Sequence, residues 1–320
     1  MLPRAYKVII NVNLILAALL MLTGTTSPVQ AGQAQEAPSA ERLNAAPPGQ
    51  AAVAQLENLS SGYRHTCAIK SDGSPACWGD NTYLQSTPPA GTFVQVSAGD
   101  MHACGLKGDG SLDCWGDHYY GQSTPPAGTF TQVSASWVYT CGLMSDSSLS
   151  CWGYNVQGQS TPPTGTFVQV GAGGFHACGI RSDDSLACWG DNSFGQSTPP
   201  DGIFVQVSAG GTHSCGRRSD GSLACWGRNN FGQSNSPAGT FTQVSAGYRH
   251  TCGIKSDGSL ACWGNNADGQ STPPGGTFVQ VSAGGFHTCG IRSDGSLACW
   301  GDNTYGQIGP NRIFLPLVIR

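Results

Sequence analysis

The stretch His287-Thr-Cys289-Gly-Ile-Arg-Ser-Asp-Gly-Ser-Leu-Ala-Cys299-Trp-Gly-Asp-Asn303-Thr-Tyr-Gly-Gln307 decides the fold, because close copies of it precede it six times. Its first cysteine recurs at a fixed period of 37 residues, at Cys67, Cys104, Cys141, Cys178, Cys215, Cys252 and Cys289. Its second follows ten residues later each time, at Cys77, Cys114, Cys151, Cys188, Cys225, Cys262 and Cys299, which uses all 14 cysteines of the 320-residue chain. A tryptophan follows every second cysteine. A period of this length without insertions defines a repeat architecture in which no unit buries its apolar face alone.

Within the last unit, short apolar or alternating runs are bounded by Gly, Asp, Asn and Pro, which spells short strands. Strand one is expected over Phe278 to Ser282, strand two over His287 to Arg292 and strand three over Ser296 to Gly301. A short strand four is expected around Gly306 and Gln307. Ser293-Asp294-Gly295 suits a three-residue hairpin with Gly in the left-handed position of a bulge. That register sets Cys289 opposite Cys299, close enough for a disulfide in a non-hydrogen-bonded pair. Seven such bridges are expected, each contributing ~2.7 kcal/mol on the chain-entropy account. Buried free thiols and a metal site are the alternatives. The even count and the N-terminal leader oppose the first, and the spacing is not that of zinc ligands.

Seven meanders packed radially give an all-β seven-bladed propeller, one repeat and one disulfide per blade. A β-solenoid is the competing architecture. The unit tryptophan is expected between neighbouring sheets, where it buries a large apolar area. Gly (46) and Pro (19) recur with the repeat and read as turn chemistry. Only 11% of residues are charged and the formal charge is −4, without basic clusters, so nucleic-acid binding is not expected.

Residues 1–31 have the layout of a signal peptide: Arg4 and Lys7, an apolar run from Val8 to Leu22, then small residues. Cleavage after Ala31 or Ala34 is expected, and retention as an anchor is the alternative. Residues 32–53, rich in Ala, Gln, Pro and Glu, read as a flexible linker. The propeller is expected over 54–309 and a C-terminal strand or tail over 310–320. Leu56 and Leu59, and again Leu315 and Val318, match the strand-one pattern, so one terminus closes the ring and the other is surplus.

The marks Ala-Gly-x-x-His, Ser-Asp-Gly and Trp-Gly-x-Asn-x-x-Gly-Gln resemble the regulator of chromosome condensation repeat family, over the whole chain from about residue 54. The resemblance implies a seven-bladed propeller. The family's founding member is a nuclear exchange factor for a Ran-type GTPase. That partner is not expected for a secreted, disulfide-bearing chain. Secreted propeller-type β-lactamase inhibitor proteins of bacteria and the ectodomains of crinkly-type receptor kinases are similar in pattern, and imply extracellular protein binding.

Alternating strands place the one–two and three–four loops on one face and the Ser-Asp-Gly hairpins on the other. The hairpin face is nearly the same in every unit, whereas the other face varies. Its candidate partner-binding residues are Tyr63, Arg64, Met101, Tyr120, Trp137, Phe175, Phe194, Phe231, Tyr248, Arg249, Phe286 and Tyr305, of types enriched at binding hot spots. The bland reading, that the three–four aromatics only cover blade edges, stands beside it. His65, His102, His176, His213, His250 and His287, with Tyr139 in the third unit, are expected to bond a neighbouring blade's backbone and not a metal. No catalytic set and no cofactor are expected. The chain therefore reads as a monomeric, non-enzymatic scaffold, secreted or in the cell envelope, that binds an extracellular protein. A glycan-binding surface protein and, less favoured, a propeller enzyme are the alternatives.

Overall fold

The computed structural model describes residues 56 to 309, so the expected signal segment, linker and C-terminal tail lie outside the described residues. Seven antiparallel sheets of three strands each follow one another, and no helix occurs among the described residues. In the first blade the strands are Leu56–Ser61, His65–Lys70 and Pro75–Gly79. In the last they are Phe278–Ala283, His287–Arg292 and Leu297–Gly301. We call them inner, middle and outer.

The expected fourth strand is not formed. Its residues make a compact loop, held in blade seven by Gly306 N–H on Asn303 O (3.0 Å) and Ile308 N–H on Asn303 Oδ1 (3.1 Å). In most units Pro-Pro follows and supplies no N–H to a ladder. The hairpin register is as read: Cys289 faces Cys299 with Ile291 opposite Leu297, and all seven pairs are disulfides. Gly295 holds the bulge at φ 80°. Asp294 Oδ1 accepts from the Ser296 N–H and hydroxyl, so the recurrent Asp is a turn residue. Ser147 and Asp184 replace this Gly and still adopt φ 69° and 66°, a left-handed conformation that costs a residue with a Cβ about 1 kcal/mol.

The inner strands line a channel and are tied by side chains. Gln95 donates its Nε2–H to Val133 O (3.0 Å) and accepts Val133 N–H on Oε1 (3.0 Å). Two residues on, Ser97 Oγ accepts Ala135 N–H (2.8 Å). At the closing seam Gln280 Nε2–H donates to Leu59 O (3.1 Å) and Ser282 Oγ accepts Ser61 N–H (2.8 Å). Thus the N-terminal strand belongs to blade one and meets blade seven directly. The channel carries a polar cavity of about 270 Å³.

Between blades lies the apolar core. Cys67 and Ile69 of blade one pack with Phe93, Val96 and Trp115 of blade two, and the pattern repeats around the ring. Each disulfide therefore forms part of the wall against which the next blade's Trp sits. Arg217 occupies the aliphatic position of the middle strand in blade five. That position faces the interblade core, so Arg217 is half-buried and not turned to solvent, and its Nε has no partner.

The six unit histidines are fully buried. Their bonds differ from expectation: five donate to a hydroxyl of the next blade, not to its backbone. His102 Nε2 meets Thr140 Oγ1 (2.7 Å), and His287 meets Thr66 across the closing seam (2.7 Å). The Thr hydroxyl spends its one proton on a carbonyl, Thr140 on Gln122 O (3.0 Å), so His Nε2–H is the donor. Two units lack the hydroxyl. Opposite His65 stands Ala103, which leaves both ring nitrogens unpartnered. Opposite unit three stands Ala177, and there Tyr139 donates its phenol to His176 O instead.

Ala103→Thr supplies the absent hydroxyl in a place where five other blades hold Thr or Ser. It is expected to stabilise the domain by about 1 kcal/mol, raising the melting temperature by roughly 2–4 °C; an unchanged or lower value refutes the role assigned to His65.

Burial pushes the histidines down to about 3 or 4 from 6.5. Each is neutral when folded, so its stabilising contribution is complete above pH 6.5 and declines as pH falls toward 4, because only the unfolded chain takes up the proton. Thermal melts between pH 7 and pH 4 should show a steady fall, and a flat profile would contradict it.

Candidate functional site

The one–two loops of the seven blades meet at one channel mouth. Backbone bonds join six of the seven neighbouring pairs, as with Tyr63 N–H on Gly99 O (3.0 Å), Tyr248 N–H on Gly284 O (3.1 Å) and Gly285 N–H on Gly62 O (3.0 Å), and between blades three and four the Ser136 hydroxyl donates to Gly173 O instead. The three–four loop docks on this ring from outside, through Asp80 N–H on Arg64 O (2.9 Å). The two variable loops therefore share one face, as their chain directions require.

Three of the candidate residues converge over the channel axis. Tyr63 lies 6.3 Å from Trp137 and 5.4 Å from Tyr248 between ring centroids, and Trp137 lies 5.3 Å from Tyr248, all edge to face. Neighbouring blades make room with glycine. A methyl at Gly174 would stand 3.2 Å from the Trp137 ring, and one at Gly285 2.9 Å from Tyr63 Cδ2. The mouth is thereby filled to a residual cavity of about 90 Å³.

Phe286 joins this cluster at 5.2 Å from Tyr63, and Phe175 at 5.1 Å from Trp137. The chain of rings continues outward through Tyr154 (6.1 Å from Phe175), Tyr120 (4.9 Å) and Tyr119 (4.8 Å). Tyr119 is 80% exposed. Tyr120, Phe194, Phe231 and Tyr305 stand on the outer circle, each partly exposed. Arginines cover three of these rings from the next blade: Arg64 lies 4.6 Å from Tyr305, Arg228 4.7 Å from Phe194 and Arg249 5.2 Å from Phe231. Met101 is half-buried and stands apart from the ring network.

Asp100 holds the mouth position in blade two. Burial pushes its carboxyl up to about 6, helped by Asp80 and Asp117 and opposed by Arg64. Burial also raises Tyr63. Sequence reasoning passed over Tyr154, Arg228, Tyr119 and Asp100. The first two break a column otherwise occupied by Asp80, Asp117, Asp191, Asn265 and Asp302, and that break was the available signal. No group of three or more His, Cys, Asp or Glu that could hold a metal ion occurs among the described residues.

The repeat and the fold have known counterparts. The regulator of chromosome condensation (RCC1) repeat matches residues 57–85, 93–122, 130–159, 167–196, 204–233, 241–270 and 278–307. The chain belongs to that family. Among solved structures it is similar to the CRINKLY WD40 ectodomain of an Arabidopsis thaliana receptor kinase, at 30% identity over 78% of this chain and 98% of that one, with a TM-score of 0.66. The entire ectodomain of a Physcomitrella patens receptor kinase matches at 29% identity over 78% and 74%, TM-score 0.68. Prp20p of Saccharomyces cerevisiae, at 15% identity over 83% and 87% and TM-score 0.66, shares the fold. No curated protein matches the chain.

Gly285→Ala forces Tyr63 off its place in the cluster. A destabilisation of about 1–3 kcal/mol with a changed near-ultraviolet circular dichroism spectrum is expected, whereas Gly275→Ala, whose added methyl meets nothing within 4 Å, should change neither.

Proposed function

We propose that this chain is a secreted, non-enzymatic scaffold that binds an extracellular protein through the loop face centred on Tyr63, Trp137 and Tyr248. The observation that carries the reading is the contrast between faces. The hairpin face repeats one turn almost without change, while the loop face departs from the repeat at residue after residue, and its departures are rich in Tyr, Trp, Phe and Arg. A scaffold under no recognition demand has no physical reason to vary on one side only. Seven blade disulfides and the extracellular neighbours support a location outside the cytosol.

Tyr119 and Tyr120 favour the second reading, a glycan-binding surface, since exposed rings also stack on sugars. The two separate cleanly when the folded domain is screened on arrays of extracellular proteins and of glycans. Capture of a protein is expected. Trp137→Ala and Tyr120→Ala should each weaken that complex by about 30-fold or more, the loss typical of a hot-spot residue. Full affinity in both variants, or capture by glycans alone, refutes the proposal.

A further inference from the structure

The described domain is acidic, with ten Lys and Arg against seventeen Asp and Glu between residues 56 and 309. Arg64, Arg228 and Arg249 nevertheless gather on the loop face, each laid over an aromatic ring of the preceding blade. Among the described residues the ion pair within 4.0 Å is Lys107 with Asp113, on a different part of the fold. The three guanidiniums thus carry no carboxylate. The Nε of Arg228 is buried with no hydrogen-bond partner, an unfavourable state that an arriving acceptor would relieve. A guanidinium held over a ring face keeps N–H donors that suit a bidentate acceptor.

We infer that Arg64, Arg228 and Arg249 form a carboxylate-reading arc of the loop face, and that their ligand is an acidic segment of the protein partner. The inference rests on the proposed protein-binding role of that face. A protein carboxylate fits better than a sugar because the ring faces are already occupied. Arg64, Arg228 and Arg249 cover Tyr305, Phe194 and Phe231, and the central rings are locked edge to face with one another. Little open π-face remains in this sector for a pyranose to stack upon, while Arg64 and Arg228 keep their N–H groups free of protein acceptors and Arg249 spends one, on the Tyr248 hydroxyl (3.2 Å). Asp100 is the opposing group, near enough to Arg64 to feel its charge.

A labelled oligoglutamate peptide, titrated against the full chain and read by fluorescence anisotropy at low salt, tests the arc. Binding is expected, falling with added salt. Each of Arg64→Gln, Arg228→Gln and Arg249→Gln should weaken it about tenfold, the triple variant should abolish it, and Asp100→Asn should strengthen it. Arg181→Gln and Arg292→Gln, on the hairpin face, should leave it unchanged. Because the arginines also brace adjacent blades, Arg228→Lys and Arg249→Lys serve as second variants. They keep charge and ring contact but lose the fork, and should melt as the parent while binding several-fold more weakly. No binding of the peptide, binding retained by the triple variant, or arginine-dependent binding of a heparin oligosaccharide in its place overturns the inference. A captured protein partner that depends on Trp137 and ignores all three arginines overturns it while leaving the proposed function standing.

Discussion

One carbonyl per repeat holds this ring together. The main-chain oxygen of the glutamine that ends each unit accepts two hydrogen bonds from the next blade in five of the seven seams. Gln122 O takes the Trp152 indole N–H (2.9 Å) and the Thr140 hydroxyl (3.0 Å), and Gln307 O takes Trp78 (2.9 Å) and Thr66 (2.9 Å). Both lone pairs are used, in a site closed to water, where an unmade bond would be costly. The Thr hydroxyl is thereby oriented to receive the histidine, and the tryptophan is fixed against the preceding blade's disulfide. The side chain of the same residue folds the loop before it, Gln307 Oε1 accepting Tyr305 N–H and its Nε2 donating to Asp302. Interblade packing, loop shape and ring closure all depend on this residue.

Much of that was legible in the chain. The hairpin register followed from Ser-Asp-Gly, since a three-residue turn leaves one way to oppose the cysteines. A strand one was legible at both ends, in Leu56 and Leu59 and in Leu315 and Val318, and the choice of Leu56–Ser61 for blade one came only with the structure. The fourth strand was misread because a glycine–glutamine pair looks extended when the Asn side chain that closes its loop is ignored. The histidine partners were missed for a different reason. They lie one residue more than a repeat away, so a unit read by itself does not contain them. Comparing units would have found them: Ala103 and Ala177 depart from Thr or Ser, and the residues opposite them, His65 and Tyr139, are the two whose bonding differs.

The convergence of Tyr63, Trp137 and Tyr248 was only half legible. Their position within the unit marked them as variable. Nothing in a linear reading says that equivalent positions of seven blades point at one axis, where side-chain volume is shared. Gly174, Gly211 and Gly285 carried that information, because a crowded axis tolerates large rings only where others give way. The face is thus an arrangement of the whole ring, and no single blade contains it.

The disulfides run within blades and never between them. The seam between blade seven and blade one is made of the same kinds of side-chain and backbone bond as the seams within the chain. The ring therefore has no chemically marked origin. Oxidation locks seven separate hairpins, and the order of the units is written only in the connecting peptide. On the hairpin side any unit could stand in for any other; on the loop side none could. Exchange of a repeat would preserve the molecule as a fold while making it a different molecule to whatever it meets.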